Sequence, residues 1–179
     1  DNNENLYVAA LSSSPDYPRV NPIENLQDGG GMNLVISKMD QDFSELIFST
    51  YLGETAVSHT YNVPTIKIDL FGNAYILTTV DQDAAEDFPI TDDAYQSTHA
   101  GMKDIGLTIV RYDGQDILYS TFLGGEWNDF GGSSNADFGS GGISVGETGK
   151  VYITGYTESA NFPLTQDAFS QSIDPSDWN

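Results

Sequence analysis

The sequence predicts an all-β chain built from a repeat, and three observations carry that prediction. A polar turn leading into a β-prone run occurs three times, a hairpin signature occurs twice, and no stretch holds apolar residues at a sustained helical spacing. The turn-and-strand element reads Asp1-Asn2-Asn3-Glu4-Asn5-Leu6-Tyr7-Val8, then Asp69-Leu70-Phe71-Gly72-Asn73-Ala74-Tyr75-Ile76, then Gly146-Glu147-Thr148-Gly149-Lys150-Val151-Tyr152-Ile153. Each turn feeds a strand, expected over 6–11, 74–80 and 151–157.

Behind each of these strands stands a short polar residue, an aromatic and a proline: Asp16-Tyr17-Pro18, Asp87-Phe88-Pro89 and Asn161-Phe162-Pro163. Such a triplet suits a loop whose ring packs inward while proline fixes the backbone and offers no ladder hydrogen bond. Next comes the hairpin, 34–39 with 46–53 in the first copy and 107–112 with 117–124 in the second, where Asp113-Gly114 supplies the positive φ of a tight turn. Segments 65–69 and 143–145 add a short strand ahead of the Tyr strand.

In order, these elements give four antiparallel strands per unit of roughly 70 residues, the content of a β-propeller blade. The expected division is 1–64 as a blade without its first strand, 65–141 as a complete blade, and 142–179 as the first two strands of a third. A run of two to three blades cannot close a ring and would expose the apolar faces of its end blades, so further blades of the same parent protein are expected beside it.

These units resemble the bacterial SBBP repeats, named for the seven-bladed β-propeller, whose pattern runs D-x-x-G-N-x-Y-V-T-G, D-F-P-x-T-x-x-A-F-Q, D-A-F-V-A-K-L and L-x-Y-S-T-Y-L-G-G. The matching residues are Asp69, Gly72, Asn73 and Tyr75; Asp87, Phe88, Pro89, Thr91, Ala94, Tyr95 and Gln96; and Leu118, Tyr119, Ser120, Thr121, Phe122, Leu123, Gly124 and Gly125. Departures fall at turns: Gly146 replaces the opening Asp, Glu54 answers Gly125, and the Asp before the third strand reads as Asn33 and Gly106. The resemblance implies a bacterial protein that is secreted or displayed on the cell surface.

Composition narrows the partners. Six Lys and Arg against 27 Asp and Glu give a net charge of −21, which repels nucleic-acid phosphates and anionic lipid headgroups. The absence of cysteine removes disulfides and thiolate metal sites. No apolar run reaches the roughly 20 residues that span a bilayer, so membrane insertion is not expected.

Motifs for chemistry are few. Gly142-Ile143-Ser144-Val145-Gly146 fits the serine-hydrolase elbow, but the repeat places Ser144 inside a strand where the elbow needs a turn into a helix. His59 and His99 lie in loops and read as surface residues, and no pair of carboxylates declares itself catalytic, so no catalytic residue is assigned. The acids Asp81, Asp83, Glu86 and Asp87, with Asp92 and Asp93 beyond, would coordinate Ca²⁺ if they converged with backbone carbonyls; the alternative is a solvated acidic loop. Segment 124–142 carries Trp127, Phe130 and Phe138 among glycines, amides and acids, and Trp127, Asn128, Asp129 and Phe130 form the candidate ligand-binding set, aromatic faces for sugar rings and polar groups for hydroxyls. The expected function is a non-catalytic binding or scaffold module that contacts a glycan or protein partner through blade loops. Its rivals are a polysaccharide hydrolase or lyase working in a propeller funnel, and a purely structural spacer.

Overall fold

The computed structural model describes residues 1–23, 31–56, 63–131 and 141–171. Its strands in chain order are β1 (Leu6–Ser12), β2 (Met32–Met39), β3 (Leu46–Ala56), β4 (Thr65–Ile68), β5 (Ala74–Asp81), β6 (Lys103–Val110), β7 (Ile117–Leu123), β8 (Asp129–Phe130), β9 (Gly142–Val145), β10 (Val151–Thr154) and β11 (Tyr156–Thr157). They form a three-stranded sheet β1-β2-β3, a four-stranded sheet β4-β5-β6-β7, and two-stranded sheets β9-β10 and β8-β11. Every ladder is antiparallel. The protein is all-β, with one 3-10 turn, Gln82–Ala84, among the described residues.

The three polar turns share one backbone. In the second, the Asp69 carboxylate accepts the amides of Phe71 at 2.8 Å and Asn73 at 2.9 Å, and Asn73 Nδ2 donates to its other oxygen at 2.9 Å. Asp1 repeats this pattern with Asn3, Asn5 and Asn5 Nδ2, each at 3.0 Å. Gly146 has no carboxylate, yet it keeps the backbone bonds: Gly146 N donates to Lys150 O at 2.8 Å as Asp69 N does to Asn73 O at 3.0 Å. All three turns place their fourth residue in the left-handed region, Glu4 at φ 61°, Gly72 at 89° and Gly149 at 77°.

Strand alternation then stacks the sheets. Even-numbered residues of β5 (Ala74, Ile76, Val80) join Leu34, Ile36, Phe48 and Leu52 of the first sheet in one core. Its odd-numbered residues Tyr75 and Leu77 join Ile105, Leu107 and Ile143 in a second core, against which Val151 and Ile153 also pack. Period-two geometry therefore buries both faces of the four-stranded sheet, the first against β1-β2-β3 and the other against β9-β10. Fully burying an Ile or Leu of this kind contributes about 1.5–3 kcal/mol. Polar bonds cross the first seam: Tyr7 Oη donates to Gly72 O at 2.8 Å, and Lys38 Nζ donates to Tyr112 O at 3.1 Å while pairing with Asp1 Oδ2 at 3.1 Å. Burial, with the Asp69 charge adding to it, pushes the Tyr7 phenol up to about 12, so it remains a donor.

The sheet register corrects one correspondence expected from sequence. Tyr7 faces Lys38, which faces Phe48, whereas Tyr75 faces Ile109, which faces Tyr119. Lys38 and Ile109 are thus counterparts, and the residue matching Asn33 is Asp104, not Gly106. A bulge at Lys38/Met39 and another at Ile109/Val110 fall at the same place on this alignment. The expected pairing of 34–39 with 107–112 was two residues out, a slip that keeps every side chain on its proper face and so leaves the apolar pattern intact. The expected strand over 151–157 also divides: β10 ends at Thr154, and Tyr156–Thr157 leave that sheet to pair with Asp129–Phe130. Ser144 stands in β9 opposite Tyr152, and β9 leads through a turn into β10, with no helix after it among the described residues.

Candidate functional site

The connection from β5 to β6 builds a surface groove against the edge of its own sheet. After the 3-10 turn it crosses the outer edge of its own sheet: Thr91 N donates to Ser120 O at 3.2 Å, Gln96 N to Thr121 Oγ1 at 2.9 Å, and Phe122 N to Gln96 O at 3.1 Å. This strap covers the exposed edge of β7, as Val20 does for Ser49 in the first sheet. Between strap and turn lies a groove of about 580 Å³, with Phe88, Ile90 and Phe122 as its apolar walls and Glu86, Ser97 and Thr98 among its polar ones.

His99 lines this groove, and the structure corrects its expected place on the surface. Its side chain is 5% exposed, and Nε2 lies 2.9 Å from Val80 O. Because a carbonyl only accepts, Nε2 carries the hydrogen. The ring meets Phe122 edge-on at 5.2 Å, and Nδ1 faces Asp104 Oδ2 at 3.9 Å without a hydrogen bond. Both ring nitrogens are thereby directed at protein groups.

The acids expected to gather around calcium do not. Asp81 pairs with Lys103, while Asp83, Glu86 and Asp87 are exposed along the turn and strap. The 3-10 turn buries Ala84 against the core and leaves the neighbouring acids in solvent, and among the described residues no three His, Asp or Glu side chains assemble a metal-binding group.

Nor do Trp127, Asn128, Asp129 and Phe130 converge on one pocket. Asn128 Nδ2 donates to Glu158 Oε2 at 2.6 Å, Asp129 is fully buried, and the Phe130 ring packs on Tyr156 at 6.1 Å. Trp127 is 53% exposed, the one ring of the set open to solvent. The cause is β8, a short strand not expected from sequence, whose pairing with β11 commits alternate side chains to the interior. His59, Asn135, Asp137 and Phe138 lie outside the described residues.

What sequence reasoning passed over is a buried polar network under the groove. Asp104, fully buried, accepts Gln96 Nε2 at 3.0 Å and the Ala100 amide at 2.8 Å on Oδ2. Asp129 Oδ2 accepts the Gly125 amide at 2.7 Å and Ser159 Oγ at 2.8 Å, and Ser159 Oγ accepts the Trp127 amide at 2.9 Å. Burial raises the Asp104 carboxyl above the usual range; the Ala100 amide and His99 pull it down and the Asp129 charge adds to the rise. Its signal was in the internal repeat: aligned by register, Asp104 is the counterpart of the buried Asn33 in the first sheet.

No protein-family model, curated protein or solved structure matches the chain. The groove presents the Ser97 and Thr98 hydroxyls, the Gln82 amide and the Glu86 carboxylate above the nearly buried Phe88 and Phe122, groups suited to hydrogen bonding.

Proposed function

We propose that this chain is a run of blades from an SBBP-like β-propeller, acting as a non-catalytic binding module of a secreted or cell-surface bacterial protein. The observation that carries the reading is the serial stacking of sheets in chain order through the alternate faces of β5, with one turn geometry at 1–5, 69–73 and 146–150. Four strands in the order β4-β5-β6-β7 are the content of one blade, and the three-stranded and β9-β10 sheets supply parts of its neighbours. Export and bacterial origin rest on the repeat resemblance. Net charge −21 supports a solvent-facing role away from nucleic acid and anionic membranes.

The contact surface in this reading is the groove between strap and turn, and its occupant is a glycan or a segment of a protein partner. A binding role is favoured over catalysis because the groove's histidine has Nε2 bound to Val80 O and a buried Nδ1 that faces Asp104 and not the groove's solvent. Glycan-array binding by the chain, with the exposed groove residues varied as Ser97→Trp and Thr98→Trp, tests it. Binding abolished by both substitutions supports the groove; binding that survives both moves the contact elsewhere. An array with no bound glycan, together with no protein partner captured by the wild-type chain and lost by the two variants, leaves the structural-spacer role.

A further inference from the structure

Asp104 and Asp129 meet across Gly124. A Cβ on that glycine would collide with Asp104 Oδ1 and lie 2.9 Å from Asp129 Oδ2, so both carboxyls reach toward one point. Each is fully buried, each has its Oδ2 hydrogen-bonded, and each has an Oδ1 with no partner. Two buried carboxylates flanking one glycine, each with an oxygen that has no partner, are costly on two counts, desolvation and like-charge repulsion. One hydrogen relieves both, because a protonated carboxyl becomes a donor to its neighbour.

We propose that Asp104 and Asp129 share a single proton, and that this proton fastens the 158–161 segment of the third repeat onto the four-stranded sheet. Asp129 is the hub of the attachment. It holds Ser159 Oγ, which accepts the Trp127 amide, while the Glu126 amide donates to Asn161 Oδ1 at 2.9 Å. When the proton departs to solvent, two carboxylates face each other in the interior and the attachment loosens. The charged and titratable groups around the pair are His99, whose Nδ1 is 3.9 Å from Asp104 on the strap side, and Glu158, which is engaged by Asn128 on the third-repeat side. Lys103, next in the chain, is turned to Asp81. The raised Asp104 carboxyl agrees with this arrangement. The device is independent of what the groove binds.

The sign follows from linkage. A carboxyl raised in the folded state adds stability below its unfolded value of 3.8, and that contribution is lost as pH climbs through the folded value. The test compares melting temperatures of the wild-type chain and Asp104→Asn from pH 4 to 8. Asparagine supplies a permanent donor in place of the proton, and the first sheet already carries Asn33 at this position. The two proteins should melt together at the acidic end, with wild type falling roughly 2–4 °C below the variant by the alkaline end. Parallel curves overturn the proposal. Should Asp104→Asn not fold, hydrogen exchange of the Gly125 and Trp127 amides in wild type, corrected for intrinsic rates, serves instead: protection dropping roughly tenfold over the same range supports the shared proton, and constant protection overturns it. A fall that disappears in His99→Gln yet persists in Asp104→Asn assigns the switch to histidine and overturns the shared proton.

Discussion

Glu4, Gly72 and Gly149 occupy the same left-handed position in three copies of one turn, and only the first carries a side chain. A Cβ in that region crowds the following carbonyl, at a cost of roughly 1–2 kcal/mol that glycine avoids. Glu4→Gly should therefore raise stability by about 0.5–1 kcal/mol, the gain trimmed by the looser unfolded chain, as read in a urea melt. The hairpin turns present the reverse case. Gly114 has φ 71°, and a Cβ there would enter the Phe48 ring. Gly114→Ala combines backbone strain with an overpacked core at the first seam and should cost roughly 2–4 kcal/mol in the same measurement. Phe43, its counterpart in the first hairpin at φ 55°, carries its ring into solvent, 59% exposed, which is how an aromatic residue is tolerated there.

Elements are joined by buried hydroxyls as much as by apolar contacts. Ser37 and Ser49 meet at 2.7 Å between β2 and β3, and Thr108 and Ser120 meet at 2.9 Å at the same place between β6 and β7. These pairs satisfy each other where the straps cross the outer strands, so polar groups occupy the interior without an orphaned donor. Ser159 plays the same part between repeats, since its hydroxyl links Asp129 to the Trp127 amide. Ser159→Ala leaves that amide without its acceptor and takes one of the two hydrogen bonds from Asp129 Oδ2, and should cost about 1–3 kcal/mol. The loss should be local: hydrogen exchange should quicken in β8 and β11 while β5 and β6 keep their protection. Uniform acceleration across β5 and β6 would show that the third repeat is integral to the second sheet rather than fastened to it.

At the scale of the molecule, charge outweighs any single contact. Net −21 makes the folded chain repel itself, and salt shortens the reach of that repulsion to roughly 8 Å at physiological ionic strength. Melting temperature at neutral pH should rise as NaCl goes from about 0.02 to 0.5 M, and a flat response would mean that the carboxylates are already neutralised locally. Two opposed groups of acids then shape the pH profile. Asp40, Asp113 and Asp167 are held below the usual carboxylate range by hydrogen bonds, first among them the Glu45 amide, the Arg111 guanidinium and the Thr165 hydroxyl respectively. Their contribution is present above the unfolded value of 3.8 and is lost as pH falls through the lowered ones. Asp104 acts in the opposite sense, so thermal melts from pH 2 to 8 should pass through a maximum on the acidic side of neutrality.

The residues alone determined the all-β class, the turns at 1, 69 and 146, the positive φ at Gly114 and the strand position of Ser144, because each is set by short-range chemistry: turn residues, β-branched and aromatic runs, alternation. The tertiary structure decided which candidate groups meet. Acids close in sequence along 81–87 were separated, since Asp81 pairs with Lys103 while a 3-10 turn and a strap direct Asp83, Glu86 and Asp87 to solvent, whereas Asp104, Asp129 and Ser159, distant in sequence, were brought together. The Asp104 correspondence was hidden by a two-residue slip that preserves every inward and outward position, and only cross-strand hydrogen bonding resolves a shift of that size. Trp127 and its neighbours were read as a site because composition records which groups are present; strand pairing decides which way they point.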